Sequence, residues 1–259
     1  MSPRGATWGE SGIRLRATLV AGVEYLEKLI YIARKDASDP IEDFRDRLLG
    51  EVSKRILETG VSGLTLRVAD LASDPRVTRE RLFGCGASIS ASVSVWLESL
   101  DDRGSLEEAL RDAGSSIDGY LVTESVPQPY TDRDWCDGER STGISQVCAF
   151  PQPDRLADEE FFRLWHDQHT PFSFEFHPRR WRYERNVVAR VLTPGAPPYR
   201  GIVIENWPEF EDFLDPDRYV PLEMQERSDE RVEGFIGHEA LDLTVTSEFI
   251  LRSFPPASV

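Results

Sequence analysis

Leu29-Ile30-Tyr31-Ile32-Ala33 is an unbroken apolar run, and Asp39-Pro40-Ile41-Glu42-Asp43-Phe44 follows it after a short polar gap. The run reads as a buried β-strand. The second stretch opens a helix, because a proline in the first turn gives up an N–H that would have no intrahelical partner anyway. At about 100° per residue, Ile41, Phe44, Leu48, Leu49, Val52 and Ile56 share one arc, and Gly60 supplies the stop. Leu64, Leu66 and Val68 then alternate as a half-buried strand does, and so do Ile89, Ala91, Val93 and Val95, running into Trp96. A helix over 105–113 and a strand over 120–126 complete the order β-α-β-β-α-β.

Further along the chain the same order is written again. After a polar segment rich in Pro, Gly and Asp, Val147, Ala149 and Phe150 give a strand and 159–169 a helix. Strands follow over 186–192 and 201–207, then a looser helical stretch over 209–231 and a last strand over 241–251. Phe44 corresponds to Phe161, Trp96 to Trp207 and Glu124 to Glu248, in order along the chain. This β-α-β-β-α-β order is the ferredoxin-like motif, whose sheet carries both helices on one face and leaves the other bare. The predicted fold is therefore α+β. Two ferredoxin-like units, 27–127 (degenerate) and 142–252, pack sheet to sheet as a pseudo-dimeric α+β barrel with a cavity between the sheets. Residues 1–26 form an extension, 128–141 a linker and 253–259 a tail.

The chain has 259 residues, with 30 Lys+Arg against 46 Asp+Glu and a formal charge of −16. That acidity argues against nucleic acid and against anionic membrane surfaces as partners. No apolar run reaches the length of a membrane span, and the apolar stretch 17–23 is too weak for a secretory signal. Cys85, Cys136 and Cys148 suit neither a disulfide framework nor a zinc site, which reads as a reduced, cytoplasmic protein.

Candidate chemistry gathers in the second half. On the helix ending Phe161-Phe162-Arg163-Leu164-Trp165-His166-Asp167-Gln168-His169, the residues Phe161, Trp165, His169 and Phe162 fall on one face, with His166 further round. A histidine on such a face is a candidate general acid or base at neutral pH. The matching positions of the first half are Leu48 and Val52, so the polar group is confined to one copy. In the basic stretch 179–186, Tyr183 and Arg185 share one side of a strand, and Arg182, Glu184 and Asn186 take the other. An inward arginine could hold a carboxylate or a phenolate. Gly201, Val203 and Glu205 likewise share a side, and Glu205 could pair with His169. His177 and His238 read as surface or loop residues. No phosphate loop, nucleophile elbow, dinucleotide fingerprint or metal-ligand spacing is present.

Phe162, Trp165, His169 and Pro171, then Tyr183 and Asn186-Val187, then Pro198-Tyr199, Gly201-Ile202, Glu205, Trp207 and Phe213 together resemble an EthD domain, over about 144–252. The resemblance implies ferredoxin-like units paired into a barrel with a central pocket. Some of its relatives take part in degrading ethers and other xenobiotics, and fungal ones resemble polyketide-tailoring dehydratases or decarboxylases. The reading that follows is a cofactor-independent lyase-type enzyme acting on a small aromatic or polycyclic compound in catabolism or secondary metabolism. His169, Tyr183 and Glu205 would carry the chemistry, and Phe162, Trp165, Arg185, Asn186 and Trp207 would hold the substrate. It expects no metal and no cofactor. A homodimer is an open possibility. The alternative is a non-catalytic accessory protein holding a hydrophobic ligand for an oxygenase. A further reading is a haem-binding relative with a histidine as axial ligand.

Overall fold

The two apolar runs that open each half become strands β1 (Glu27–Lys35) and β5 (Ile144–Pro151). The structure is a computed structural model and describes residues 26–75, 77 and 89–254. The expected N-terminal extension, apart from Leu26, and Cys85 lie outside the described residues. The remaining strands are β2 (Gly63–Val68), β3 (Ala91–Leu97), β4 (Ser115–Gln128), β6 (Arg182–Val191), β7 (Tyr199–Trp207) and β8 (Asp242–Arg252). They close into one antiparallel barrel in the order β1-β3-β2-β8-β5-β7-β6-β4, with β4 pairing back onto β1.

Each half contributes four adjacent strands, β4-β1-β3-β2 and β8-β5-β7-β6. The halves join at their edges, where β2 pairs with β8 and β4 with β6. Edge pairing satisfies the backbone groups that two separate sheets would leave unpaired, so closure removes every edge. The two sheets are thus walls of a single closed barrel, and not merely two faces laid together.

Helices cover the outside. In the first half α1 (Ile41–Arg47) and α2 (Ser53–Glu58) are one continuous helix, joined by a wide turn over Leu48–Val52. Together with α3 (Gly104–Asp112) they pack on Leu29, Tyr31, Leu64, Leu66, Val93 and Val95. The intervening residues of the same strands, Ile30 and Ile32, face the barrel lumen and meet Tyr120, Val122, Val147, Ala149, Val188, Tyr199 and Ile202 from the other walls. Strands buried on both faces explain why β1 reads as a continuous apolar run.

The lumen is not an apolar cavity. Beyond that cluster lie Lys28, Arg67, Glu184 and Glu248, all buried. Lys28 Nζ donates to Glu184 Oε1 at 2.5 Å and to Glu124 Oε1 at 2.7 Å. Arg67 Nε donates to Glu248 Oε2 at 2.9 Å, and Arg182 Nη2 reaches Glu184 Oε2 at 2.6 Å. Tyr130, from the segment joining the halves, donates its hydroxyl to Glu248 and packs edge-on against Trp135 and Trp181. The expected cavity between the sheets is therefore replaced by side chains and ion pairs. Trp96 and Trp207 are also not counterparts: Trp96 lies beneath the Lys28 ammonium and donates to Glu124, whereas Trp207 packs on the helix side against Phe213 and Tyr219.

In the second half α4 (Asp158–Phe162) passes through a wide turn over Arg163–His169 into α5 (Thr170–Phe176). The helix runs past the expected end at His169. Within the turn the Thr170 N–H reaches back to the Trp165 carbonyl, five residues away, and the Thr170 hydroxyl donates to the same oxygen at 3.0 Å. This widening sits just before Pro171, which has no N–H to give and would crowd a regular turn. Short helices α6 (Phe210–Leu214) and α7 (Pro216–Tyr219) and the longer α8 (Leu222–Phe235) complete the cover. Among the described residues, no helix is long and apolar enough to cross a membrane.

Candidate functional site

Between the outer face of the second-half sheet and its helices lies a cavity of about 440 Å³. Its floor is the outward side of β5, β6 and β7, with Gln146, Cys148, Phe150, Tyr183, Val203 and Glu205. Its roof carries Trp165, His169, Phe176 and His177 from the long helix, Tyr219 from α7, and Val232 and Phe235 from α8. The corresponding space in the first half is filled: Leu48 and Val52 are buried against the sheet. In the second half, aromatic rings hold the roof off the floor instead.

Trp165 packs edge-on against Phe150 at 5.1 Å between centroids. It also lies against Gly201, where a Cβ would come within 2.7 Å of the indole and 2.4 Å of the Phe150 ring. Glycine is required there by this close approach. Glu205 is buried, and its carboxylate is fixed by Arg180, whose Nη1 donates to Oε1 at 2.6 Å. Arg180 is itself held by Gln128 and Ser173, and its guanidinium lies 4.2 Å over the Tyr183 ring. Gln146 links the floor to the roof: Tyr219 Oη donates to its Oε1 at 3.1 Å, and its Nε2 stands 3.5 Å from Glu205 Oε2.

The two histidines of the cavity differ. His169 lies among Phe176 and Phe235, at 5.6 and 5.2 Å, and its Nδ1 is buried with no hydrogen-bond partner. Burial disfavours the imidazolium and lowers its pKa to about 4; Glu205 opposes that only in part. His177, at the end of α5, places Nδ1 2.9 Å from the Tyr219 carbonyl oxygen. Burial, then Arg180, lower its pKa to about 3. Both imidazoles are therefore uncharged at neutral pH. Burial and the nearby Glu205 raise the pKa of the Tyr183 hydroxyl.

Of the residues expected from sequence, His169, Tyr183, Glu205 and Trp165 line this one cavity. Trp207 stands behind its wall, against His177 and Tyr219. Phe162 does not reach it, packing instead under the Arg200 guanidinium beside Trp165 and His166. Arg185 is half-buried, and its Nε and Nη1 donate to Ser125 and Thr170. Asn186 lies on the opposite face of β6, in the lumen, where it donates to Glu184. It cannot touch a ligand in the cavity, because alternation in the strand puts it on the other side from Tyr183. His177 and Arg180 are the residues the sequence reading missed. Phe172 and Phe176, spaced by four, were the available signal that an apolar helix face continues past Pro171. Among the described residues, no group of three His, Cys, Asp or Glu side chains is placed to hold a metal ion.

No family model and no curated protein sequence matches the chain. The barrel does resemble solved structures. An anthrone oxidase-like protein superposes with a TM-score of 0.57 at 11% identity, over 92% of this chain and 98% of that one. A variant chlorite dismutase from Candidatus Nitrospira defluvii superposes at 0.47 and 10% identity, over 88% and 92%. A dye-decolorizing peroxidase from Bacteroides thetaiotaomicron does so at 0.45 and 10%, over 85% and 92%. At such identities the first likeness is one of fold alone: an α+β barrel of nearly the same extent.

Proposed function

We propose that this chain binds a small, uncharged aromatic compound in the cavity between the second-half sheet and its helices. The observation that carries this is the cavity's composition: aromatic walls around an uncharged imidazole, His169, whose Nδ1 is buried and unpaired. Few precisely placed polar groups on an apolar lining is the usual make-up of a small-molecule site. Glu205 adds no net charge, because Arg180 is bound to it.

The lyase reading, dehydration or decarboxylation with His169 as general acid or base, is the finer form of the same proposal. Glu205 in the same cavity supports it. Two features put ligand binding ahead. A pKa of about 4 makes His169 a weak base at neutral pH, well below the value that favours proton transfer. And among the described residues no protein group fixes its tautomer, whereas a working base is normally held by its second nitrogen. The EthD resemblance belongs to the same reading, as does the division into two ferredoxin-like units, 27–127 and 142–252. Matching strand orders and a wide helical turn at the matching place in each half support that division.

Equilibrium dialysis with naphthalene tests the site. Saturable binding to one site is expected, and Val203→Phe, which fills the cavity floor, should abolish it with the circular dichroism spectrum unchanged. Binding that is absent, or indifferent to Val203→Phe, refutes the proposal. Native mass spectrometry would identify a co-purifying compound, and a Soret band would assign the cavity to a haem instead. If a bound compound is turned over, His169→Ala should slow turnover at least about tenfold and His166→Ala much less.

A further inference from the structure

Resting on that ligand-binding reading, the wiring of the cavity's polar groups narrows the ligand's chemistry. A carbonyl oxygen only accepts, so the 2.9 Å contact with the Tyr219 oxygen places the His177 proton on Nδ1. Nε2 then carries the lone pair. It has no protein partner among the described residues, it is not one of the fully enclosed unpaired atoms, and His177 is part of the cavity lining. The ring is held on both sides, by Phe176 at 4.5 Å and Tyr219 at 4.6 Å between centroids, and backed by Trp207 at 5.6 Å. His177 thus has the fixed tautomer and fixed orientation that His169 lacks.

The donors around Glu205 and Gln146 are already engaged. Tyr219 Oη donates to Gln146 Oε1, Gln146 Nε2 is turned toward Glu205, and Arg180 donates into Glu205 and Ser173. What His177 itself presents unfilled is an acceptor. A ligand carboxylate would bring a second acceptor beside Glu205, whose cation, Arg180, is already paired with it. A ligand hydroxyl brings the donor that is missing.

We propose that His177 Nε2 is the acceptor that docks the hydroxyl of a phenol-class aromatic ligand in this cavity. The hydroxyl keeps its proton: an imidazole so buried takes a hydrogen bond from a phenol without becoming charged. The aromatic body of the ligand then lies against Phe150, Trp165 and Phe235.

The test compares 1-naphthol with 1-methoxynaphthalene and naphthalene, which cannot donate. The full chain should bind 1-naphthol about tenfold more tightly than 1-methoxynaphthalene, as one well-made hydrogen bond allows. His177→Phe should erase that preference, so that 1-naphthol and 1-methoxynaphthalene bind alike. Because His177→Phe also removes the bond to Tyr219, ¹⁵N spectra of the unmutated protein provide a second reading. The His177 Nε2 resonance should move with 1-naphthol and stay with naphthalene. Equal binding of 1-naphthol and 1-methoxynaphthalene, a preference that survives His177→Phe, or a response confined to His169 would overturn the assignment while leaving the cavity's aromatic site intact. Failure of all three compounds to bind would overturn the site and the assignment together.

Discussion

Lys28 and Glu184 stand 156 residues apart in the chain and 2.5 Å apart inside the barrel. The pair joins a strand of each half, and it does so where a cavity between the sheets was expected. Burial alone would raise the Glu184 pKa. Lys28, then Arg182 and Arg67, more than offset it and hold the carboxyl well below the ordinary carboxylate range. Glu184→Gln leaves the buried Lys28 and Arg67 and the partly buried Arg182 short of one countercharge and should cost about 3–5 kcal/mol of stability. Lys28→Met leaves Glu184 with Arg182 still in contact, so the loss should be smaller, about 1–3 kcal/mol. Urea unfolding measures both; a change within about 0.5 kcal/mol for Glu184→Gln would mean the pair is neither dry nor structural.

Gly201 and Gly50 make opposite predictions from one substitution. At Gly201 an added methyl would meet the Phe150 and Trp165 rings, which are themselves packed together. Gly201→Ala should therefore destabilise by about 1–3 kcal/mol through overpacking. Gly50 lies in the first-half helix with nothing within 4 Å of its would-be Cβ. Gly50→Ala should stabilise by about 0.4–1 kcal/mol, by narrowing the unfolded ensemble. Thermal melts of the two variants should move in opposite directions.

Much of this fold is legible because strands and helices impress different periods on the sequence. Val93 and Val95, or Val203 and Glu205, are sorted to common sides by alternation alone. Alternation does not say which side is which. In a closed barrel both faces of a strand are buried, so Tyr183 and Asn186 look equally inward, and only the packing of α5 and α8 decides that Tyr183 meets the cavity. One residue of slip in matching the halves likewise paired Trp96 with Trp207, which face opposite ways. The wide turn at Arg163–His169 is a tertiary choice with no simple period, so the helix was expected to end at His169 and His177 fell outside it. The lumen ion pairs join residues far apart in the chain, and no local pattern carries such a contact.

Arg180 and Glu205 should behave as a unit. Arg180→Met leaves a buried carboxylate without its cation and should cost about 3–5 kcal/mol. Replacing both, Arg180→Met with Glu205→Gln, removes the stranded charge and should recover a substantial part of that loss, because an uncharged pair no longer bears the desolvation of an ion. A thermodynamic cycle on the two single variants and the double variant measures the coupling. Strict additivity would mean the 2.6 Å contact contributes nothing beyond its separate parts.

The buried histidines set the acid limb of the stability profile. His169 and His177 titrate at about 4 and about 3 in the folded chain, against 6.5 without the fold, and burial is the first cause in both. Between pH 6.5 and these lower values the unfolded chain holds protons that the folded chain refuses. Stability contributed by their uncharged state is therefore complete above pH 6.5 and is lost as pH falls toward 4 and 3. Each such group steepens the profile by up to about 1.4 kcal/mol per pH unit. The lumen carboxylates Glu184 and Glu248, whose pKa values are lowered, act in the same direction but at more acid pH, below the ordinary glutamate range. The two sources separate by variant. His169→Phe should flatten the dependence between pH 6.5 and 4 and leave the steeper loss below pH 4 unchanged. Urea unfolding midpoints collected across that range decide the matter: an unchanged slope in the His169→Phe chain would show that the imidazole is hydrated in the native state and free to take up a proton there.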